Sequence, residues 1–393
     1  MGSSLPSRPI YLDHHATTPT DPRVLEVMLP YFTHAFGNAA SSSHVYGWEA
    51  EAAVTQARET LAAAINCSPE EIIFTSGATE ANNLAIKGVA EAYLSKGRHL
   101  ISVTTEHNAV LDPVHYLQGL GFEVTLLGVD SQGLIDLRAL EQAIRPDTVL
   151  ISVMAANNEI GVLQPLTQIG ALAKQHNVLF HTDAAQAVGK IPLDVQAQNI
   201  DLMSLTAHKV YGPKGIGALY VRRRDPRVKL APQMHGGGHE RGLRSGTLFV
   251  PQIAGLGKAV ELAMLELESE AARLTSLREQ LWQQLQVLDD LKLNGHPGQR
   301  LPGNLNVCFG GVDGEALLIG LRQVVALSSG SACTSAEVAP SHVLKALGRT
   351  DQEAHAALRF GLGRFNTTEE VDQVAVAVVD TVQKLRKMAM TWR

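Results

Sequence analysis

The chain has few cysteines and no long apolar run. Its 393 residues include only Cys67, Cys308 and Cys333, an odd number of widely separated thiols. This pattern excludes a disulfide framework and the ligand spacing of a zinc site. No apolar stretch approaches the length of a membrane span, and the first residues lack the apolar core of a signal peptide. We therefore expect a cytoplasmic protein, or one of an equivalent reducing compartment, without membrane contact.

Charged residues are also scarce. They make up 18% of the chain and give a formal net charge of -6, whereas apolar residues reach an ordinary globular 45%. A chain without basic excess has no electrostatic reason to bind nucleic acid. Its length exceeds what one simple core usually serves, so we expect two domains.

Two glycine-rich segments lack the pattern of a common ligand site. The glycines between Gly212 and Gly217 precede a strand, whereas a dinucleotide-binding fingerprint follows a strand and opens a helix. A nicotinamide-dependent dehydrogenase is therefore disfavoured. The run from His235 to Glu240 contains three glycines, which do not form a helical metal-ligand face. We expect no resident metal.

Short apolar runs alternate with helical patterns between about residues 70 and 220. Strands are expected near 72–75, 99–103, 123–127, 149–153, 178–183 and 202–206, and helices at 79–94, 108–120, 137–143 and 165–175. Val, Ile and Leu-rich strands separated by helices predict an α/β fold with a mainly parallel sheet covered on both faces. A single long helix at 251–287 and a smaller α+β region follow.

Lys209 and Asp183 each follow one of these predicted strands. A lysine can form a Schiff base with pyridoxal 5'-phosphate (PLP), and an aspartate can keep the pyridine nitrogen of that cofactor protonated. Either residue alone is more often a surface lysine or a helix cap. Ligands of such sheets bind beyond the carboxyl ends of the strands, which is where both residues lie.

Ser76 to Glu80 opens a helix directly after a strand. Small residues and free N–H groups at a helix start suit a phosphate, with the Thr79 hydroxyl contributing, although ordinary N-capping explains the same residues. Thr206 and His208 lie just before the lysine, and we expect them to reach the same phosphate.

Three further polar residues follow strands. His107 is placed to stack on a flat cofactor ring and to move protons, whereas Asn158 and Gln186 offer neutral hydrogen bonds. Arg359 suits a substrate carboxylate, because its planar fork makes paired hydrogen bonds.

Cys333 lies in a small, polar run from Ser328 to Ser335. Buried structural cysteines usually have large apolar neighbours, which this thiol lacks. As a thiolate it would be a strong nucleophile toward sulfur, although an exposed thiol without a role fits the residues equally well.

Taken together, these runs resemble the cysteine desulfurases, PLP enzymes of the class V aminotransferase group. The resemblance extends over nearly the whole chain. It rests on the segments 11–13, 16–19, 75–80, 105–107, 157–161, 183–186, 208–209, 235–247 and 328–335. The last segment is similar to the long, mobile cysteine loop of the iron–sulfur and nitrogen-fixation type.

The resemblance implies the fold type I architecture with a seven-stranded-type sheet. A large PLP-binding domain would span residues 16–262. A smaller α+β domain would contain residues 1–15 and 263–393, with the cysteine loop at about 328–340.

It also implies a role for each site residue. Lys209 would bind PLP, Asp183 would face the pyridine nitrogen and His107 would stack on the ring. Gln186 would hydrogen-bond the phenolic oxygen, with Asn158 nearby, and Arg359 would bind the substrate carboxylate. The phosphate would be held by Ala78, Thr79, Thr206 and His208, and by Thr247 of the other subunit of a homodimer.

The implied activity is removal of sulfur from L-cysteine, which gives L-alanine and a persulfide on Cys333. The persulfide would pass to an acceptor or scaffold protein for iron–sulfur cluster assembly, and Cys333 is a candidate transient cluster ligand. The alternatives are a selenocysteine lyase or another class V lyase or aminotransferase. A catalytically silent sulfur-relay subunit is a rival of a different class.

Overall fold

A computed structural model describes residues 8–329 and 339–391 of the chain. Cys333 and the central part of the predicted cysteine loop lie outside the described residues. Within them, no helix is both long and apolar enough to cross a membrane.

The described residues contain strands from two to six residues long. They are β1 Ile10–Tyr11, β2 Ile72–Thr75, β3 His99–Val103, β4 Glu123–Leu127, β5 Thr148–Ser152, β6 Leu179–Asp183, β7 Leu202–Thr206, β8 Gly217–Val221, β9 Leu291–Leu293, β10 Asn304–Phe309, β11 Val325–Ala326, β12 Ser328–Ser329 and β13 Ala357–Gly361.

The helices range from single turns to the long helix near the C-terminus. They are α1 Pro22–Met28, α2 Pro30–Thr33, α3 Val45–Ala64, α4 Ala78–Ala92, α5 Asn108–Gly119, α6 Leu137–Ala143, α7 Leu166–Gln175, α8 Val250–Leu265, α9 Leu267–Leu285, α10 Gly314–Leu321, α11 His342–Ala346, α12 Asp351–His355 and α13 Thr368–Thr391.

The largest sheet has seven strands in the order β2-β8-β7-β6-β5-β3-β4. β8 pairs antiparallel with both of its neighbours, and the remaining pairs are parallel. Every residue of β3, β5, β6 and β7 is buried, as expected for a sheet covered on both faces. The prediction of an α/β fold with a mainly parallel seven-stranded sheet is confirmed.

Because β2, β7, β6, β5 and β3 run in one direction, their carboxyl ends lie at the same edge of the sheet. The register pairs Asp183 at the end of β6 with Ser204 in β7, five residues before Lys209. The topology therefore brings residues far apart in the sequence to one edge.

The C-terminal part forms a separate four-stranded antiparallel sheet in the order β12-β13-β10-β9, while β1 pairs with β11. Its apolar core comes mainly from α9, β10, β13 and α13 and includes Leu281, Val307 and Phe360. Leu12, from the start of the chain, belongs to this core. A different cluster underlies the seven-stranded sheet.

The prediction of a single helix over 251–287 is wrong. The structure has two helices, α8 and α9, joined at Glu266, whose φ of -100° and ψ of 2° leave the helical range. The Glu266 carboxylate is held by Arg23, at 2.8 Å, and by Arg364, at 3.4 Å. These distant partners fix the break, so the apolar pattern of the helix alone did not reveal it.

Candidate active site

A cavity of about 900 Å³ opens at the carboxyl edge of the large sheet. Ten residues predicted for the site line it, namely Ala78, Thr79, His107, Asn158, Asp183, Gln186, Thr206, His208, Lys209 and Arg359. Leu318, Leu327 and Ser328 of the C-terminal part close one side. Thr247 is exposed and does not line this cavity, and Cys333 lies outside the described residues.

Lys209 ends a single 3₁₀ turn that follows the buried strand β7. Its amine donates hydrogen bonds to the carbonyl oxygens of His15, at 2.5 Å, and Ala16, at 2.6 Å. Burial, with a smaller contribution from the Arg359 charge, lowers the pKa of this amine to about 8. A much larger fraction of neutral, nucleophilic amine is therefore present near neutral pH than for an ordinary lysine.

Asp183 lies at the end of β6 and is 5% exposed. One carboxylate oxygen accepts a hydrogen bond from the Asn82 side chain at 2.7 Å, and the other accepts from the Ala185 N–H at 2.9 Å. These donors hold the carboxylate in place and leave acceptor capacity on both oxygens. Asn82, which lies one helical turn after Ala78 on α4, was not predicted as a site residue.

The N-terminus of α4 also lines the cavity. Gly77, the residue before the helix, has a φ of +153°, and a Cβ added there would lie 3.8 Å from the Thr206 hydroxyl. The first N–H groups of any α-helix lack partners within the helix, which makes this end a favourable place for an anion. Burial, followed by the Lys209 charge, lowers the pKa of neighbouring His208 to about 4, so this ring is neutral.

His107 precedes α5, and its Nδ1 accepts a hydrogen bond from the Ala109 N–H at 3.0 Å. The proton of the neutral ring is therefore on Nε2. Burial lowers the pKa of His107, while Asp183 opposes that shift. A neutral imidazole beside Lys209 and Asp183 is able both to stack on a flat ring and to exchange a proton.

Arg359 lies in β13 of the smaller sheet, and its side chain lines the same cavity as Lys209. Its Nη2 donates to Asp13 at 2.8 Å and its Nη1 donates to the Asn158 carbonyl at 3.0 Å. Its buried Nε has no hydrogen-bond partner among the residues the structure describes. Asp13 orients the guanidinium, a contact the sequence did not predict.

The segment that follows the cysteine loop is tied to the same cavity. Ser341 donates a hydrogen bond to the buried Glu159 carboxylate at 2.5 Å and accepts one from Leu344. His342 contacts the Glu106 carbonyl at 2.9 Å. Glu159 and Glu106 are direct chain neighbours of Asn158 and His107, so residues 341–342 are anchored beside two site residues.

The described residues fit PLP by their donor chemistry. A buried carboxylate fixed by Asn82 suits a protonated pyridine nitrogen, and a lysine of lowered pKa suits an aldehyde. The side chain that Gly77 lacks leaves open space beside Thr206 at a helix N-terminus, which suits a phosphate. No cluster of metal-ligating side chains occurs in the part of the chain that is described.

Comparison with known proteins agrees with this geometry. The family model described as aminotransferase class V matches residues 10–374. A protein named cysteine desulfurase IscS from Anaeromyxobacter dehalogenans is 58% identical over 382 residues, which cover 97% of this chain and 94% of that protein.

Solved structures show the same fold over almost the whole chain. A NifS-like protein superposes with a TM-score of 0.89 at 38% identity and covers 96% of this chain and 100% of its own. SspA in complex with cysteine superposes with a TM-score of 0.81 at 41% identity and covers 91% of this chain and 100% of its own.

Proposed function

We propose that this chain, which belongs to the cysteine desulfurases of the class V aminotransferase family, takes sulfur from L-cysteine and passes it on through Cys333. The enzyme is PLP-dependent, as its family is. The observation that carries the proposal is the convergence of Lys209, Asp183 and Arg359 on one cavity.

Lys209 would hold the cofactor and Asp183 would pair with its ring nitrogen. Ala78, Thr79, Thr206 and His208 would hold the phosphate at the start of α4. When bound, PLP supplies an electron sink that stabilises negative charge at the substrate Cα. The low pKa of Lys209 lets its released amine take up the Cα proton near neutral pH.

Arg359 would bind the carboxylate of L-cysteine. Asp13 and the Asn158 carbonyl hold the two terminal nitrogens of its fork, and the buried Nε lacks a partner among the described residues. With its carboxylate on this arginine, the substrate would have its amino group in the cavity that Lys209 also lines. His107, with its proton on Nε2, is the candidate donor during breakage of the carbon–sulfur bond.

The Cys333 thiolate would attack the sulfur of bound L-cysteine. The Cβ–S bond breaks, a sulfur–sulfur bond forms on Cys333, and the carbon skeleton leaves as L-alanine after protonation. L-cysteine and one enzyme thiol thus become L-alanine and one persulfide, without an external oxidant. The anchored residues 341–342 support this role, because they attach the end of the cysteine loop beside Asn158 and His107.

Incubation with L-cysteine and a thiol reductant tests this activity. Alanine and sulfide should appear in equal amounts, and Cys333→Ala should abolish sulfide release while the cofactor's visible absorption persists. Alanine without sulfide would contradict a desulfurase. Selenocysteine turnover that survives Cys333→Ala, with no turnover of L-cysteine by the wild type, would instead support a selenocysteine lyase.

A homodimer with shared sites is the second part of the proposal. Large apolar side chains are exposed around α1, α2 and the start of α3, including Leu29 at 55%, Phe32 at 49% and Trp48 at 55%. Phe249, 49% exposed, packs edge-on against Phe32 with ring centroids 6.0 Å apart. Exposed apolar side chains gathered in this way are typical of an interface. Thr247 lies two residues from Phe249, so pairing through this surface would bring it near the partner's cavity.

Co-expression of two inactive chains tests the shared site. Lys209→Ala removes the amine, and Thr247→Asp sets a carboxylate against the phosphate. If Thr247 serves the partner subunit, mixed dimers contain one site with neither defect, and activity returns. If Thr247 serves its own chain, every mixed dimer has two defective sites and no activity returns.

The remaining parts of the proposal concern location and domain division. Cys67 and Cys308, the cysteines in the described residues, are both free, which supports the cytoplasm or an equivalent reducing compartment. A sulfur acceptor or iron–sulfur scaffold protein would receive the persulfide sulfur.

We also propose a division into two domains. One contains residues 16–262, and the other contains residues 1–15 together with 263–393. The two core clusters and the break at Glu266 support this division.

A further inference from the structure

The side-chain amide of Gln186 is held from both ends. Its oxygen accepts a hydrogen bond from the Lys190 amine at 2.9 Å and is 3.1 Å from Nδ1 of His15. Its nitrogen donates to the His15 carbonyl at 2.8 Å. Burial lowers the pKa of the His15 ring well below its ordinary value, so the ring is neutral and its Nδ1 donates to Gln186.

Only one orientation of this amide satisfies these contacts. A flipped amide would place NH₂ against the Lys190 amine and His15 Nδ1, and would place its oxygen against the His15 carbonyl. The contacts of the Lys190 amine and of the His15 carbonyl would both lose their hydrogen bonds inside a buried site, which would leave polar groups unpaired. The amide nitrogen has two protons, and the His15 carbonyl takes one. The second proton remains for the cavity that Gln186 lines.

We propose that Lys190 is a positioning residue that fixes Gln186 as a hydrogen-bond donor to the phenolic oxygen of the cofactor. The inference rests on the proposed function, since it assumes PLP on Lys209. Lys190 acts through Gln186 and not by contact with the cofactor, because it does not line the main cavity. It lies four residues after Gln186 and contributes to a small second cavity behind it, with His14, Tyr211 and Glu270.

The surroundings of Lys190 explain why a lysine is suited to this position. Burial, with smaller contributions from the charges of Lys209 and Arg359, lowers the pKa of its amine to about 7, and Glu270 opposes this shift. An amine of this kind changes its charge near neutral pH, yet it has N–H groups in both forms. The orientation of Gln186 is thus maintained whether or not Lys190 is charged.

The visible absorption band of the lysine-bound cofactor tests the proposal in the purified holoenzyme without L-cysteine. This band reports the pKa of the imine nitrogen. The phenolic oxygen carries more negative charge once that nitrogen has lost its proton, so a hydrogen-bond donor to the oxygen favours the deprotonated form. Loss of the donor therefore raises the pKa that the band reports. We expect Gln186→Leu and Lys190→Met each to raise this pKa by about one unit. The double variant should match the single variants, because both changes remove one interaction.

Three results would overturn the proposal. The first is a Lys190→Met band with the same pKa as the wild type, and the second is a Lys190→Met band with a lower pKa. The third is a double variant whose rise in pKa equals the sum of the rises in the two single variants. Full additivity would mean that the lysine acts by its charge alone. Lys174→Met is the matched control, since Lys174 is exposed and bonded to Asn199 outside the site, and its band should titrate as in the wild type.

If Lys190→Met does not fold, Lys190→Leu replaces it, because leucine also lacks a hydrogen-bond donor, and the same outcomes decide. The band is measured without turnover, so it reports on Gln186 even if no sulfide is released from L-cysteine. A failure of desulfurase activity and a failure of this inference are therefore distinguishable.

Discussion

At the scale of single residues, the environment of Lys209 determines its chemistry. A lysine with a pKa of about 8 is partly neutral at physiological pH, and two backbone carbonyls hold its amine at the cavity. Lys209→Ala should abolish the visible band of the cofactor and reduce activity by on the order of a thousandfold or more. Borohydride reduction followed by peptide mass spectrometry should find PLP on Lys209 in the wild type. Label on a different lysine of the wild type would contradict this role.

Lys190 should also affect stability as a function of pH. Its pKa is about 7 in the folded protein against an ordinary 10.5, so between these values the unfolded chain binds a proton that the native state releases. This residue's contribution therefore increases stability as pH rises from about 7 toward 10.5. The free energy of unfolding of Lys190→Met should exceed that of the wild type most below pH 7, by on the order of a few kcal/mol. This difference should shrink as the pH rises. Urea unfolding at several pH values measures it. A constant difference would contradict the lowered pKa.

The reactive lysine and its acid were predictable because they follow strands of a parallel sheet, whose ends share one edge. Asn82, Lys190 and Asp13 were not predicted. Each acts through another residue, and its contact depends on how helices and loops pack after the sheet has formed. A lysine four residues after a glutamine has no special signal in the sequence, since the same spacing is common on exposed helix faces.

At the scale of elements, the N-terminus of α4 depends on Gly77. Its φ of +153° lies in a region that other residues rarely adopt. Gly77→Ala should weaken cofactor binding about tenfold. An alanine at this φ strains the backbone by about one to two kcal/mol at the start of α4, where the phosphate is proposed to bind. Equilibrium dialysis of PLP measures the loss.

Gly119→Ala is the control for that substitution. Gly119 ends α5, and an added Cβ would have no atom within 4 Å among the described residues. Cofactor binding by this variant should equal that of the wild type. Equal affinity of the Gly77→Ala variant and the wild type would contradict the proposed phosphate end.

The helix patterns predicted α6 correctly and α4, α5 and α7 to within two residues, because apolar periodicity and strand alternation are local signals. The join between α8 and α9 was missed because Arg23 and Arg364 hold Glu266 there. Long-range ion pairs of this kind have no trace in a window of neighbouring residues.

At the scale of the whole molecule, the exposed apolar surface around Phe32 and Phe249 is expected to be buried in a dimer. Phe249→Glu places a charge in the centre of that contact and should convert the dimer to monomers, with loss of activity. Sedimentation velocity measures the mass. Leu120→Glu, at an apolar side chain 55% exposed after α5, should remain dimeric. A wild-type chain that is monomeric at micromolar concentration would contradict the shared site.

The most direct test of the central claim is a single turnover with L-cysteine and no reductant, analysed by peptide mass spectrometry. We predict one equivalent of alanine and one added sulfur atom on the peptide that contains Cys333, with Cys67 and Cys308 unchanged. Alanine production with the added sulfur on another cysteine, or with no sulfur on the protein, would contradict the account.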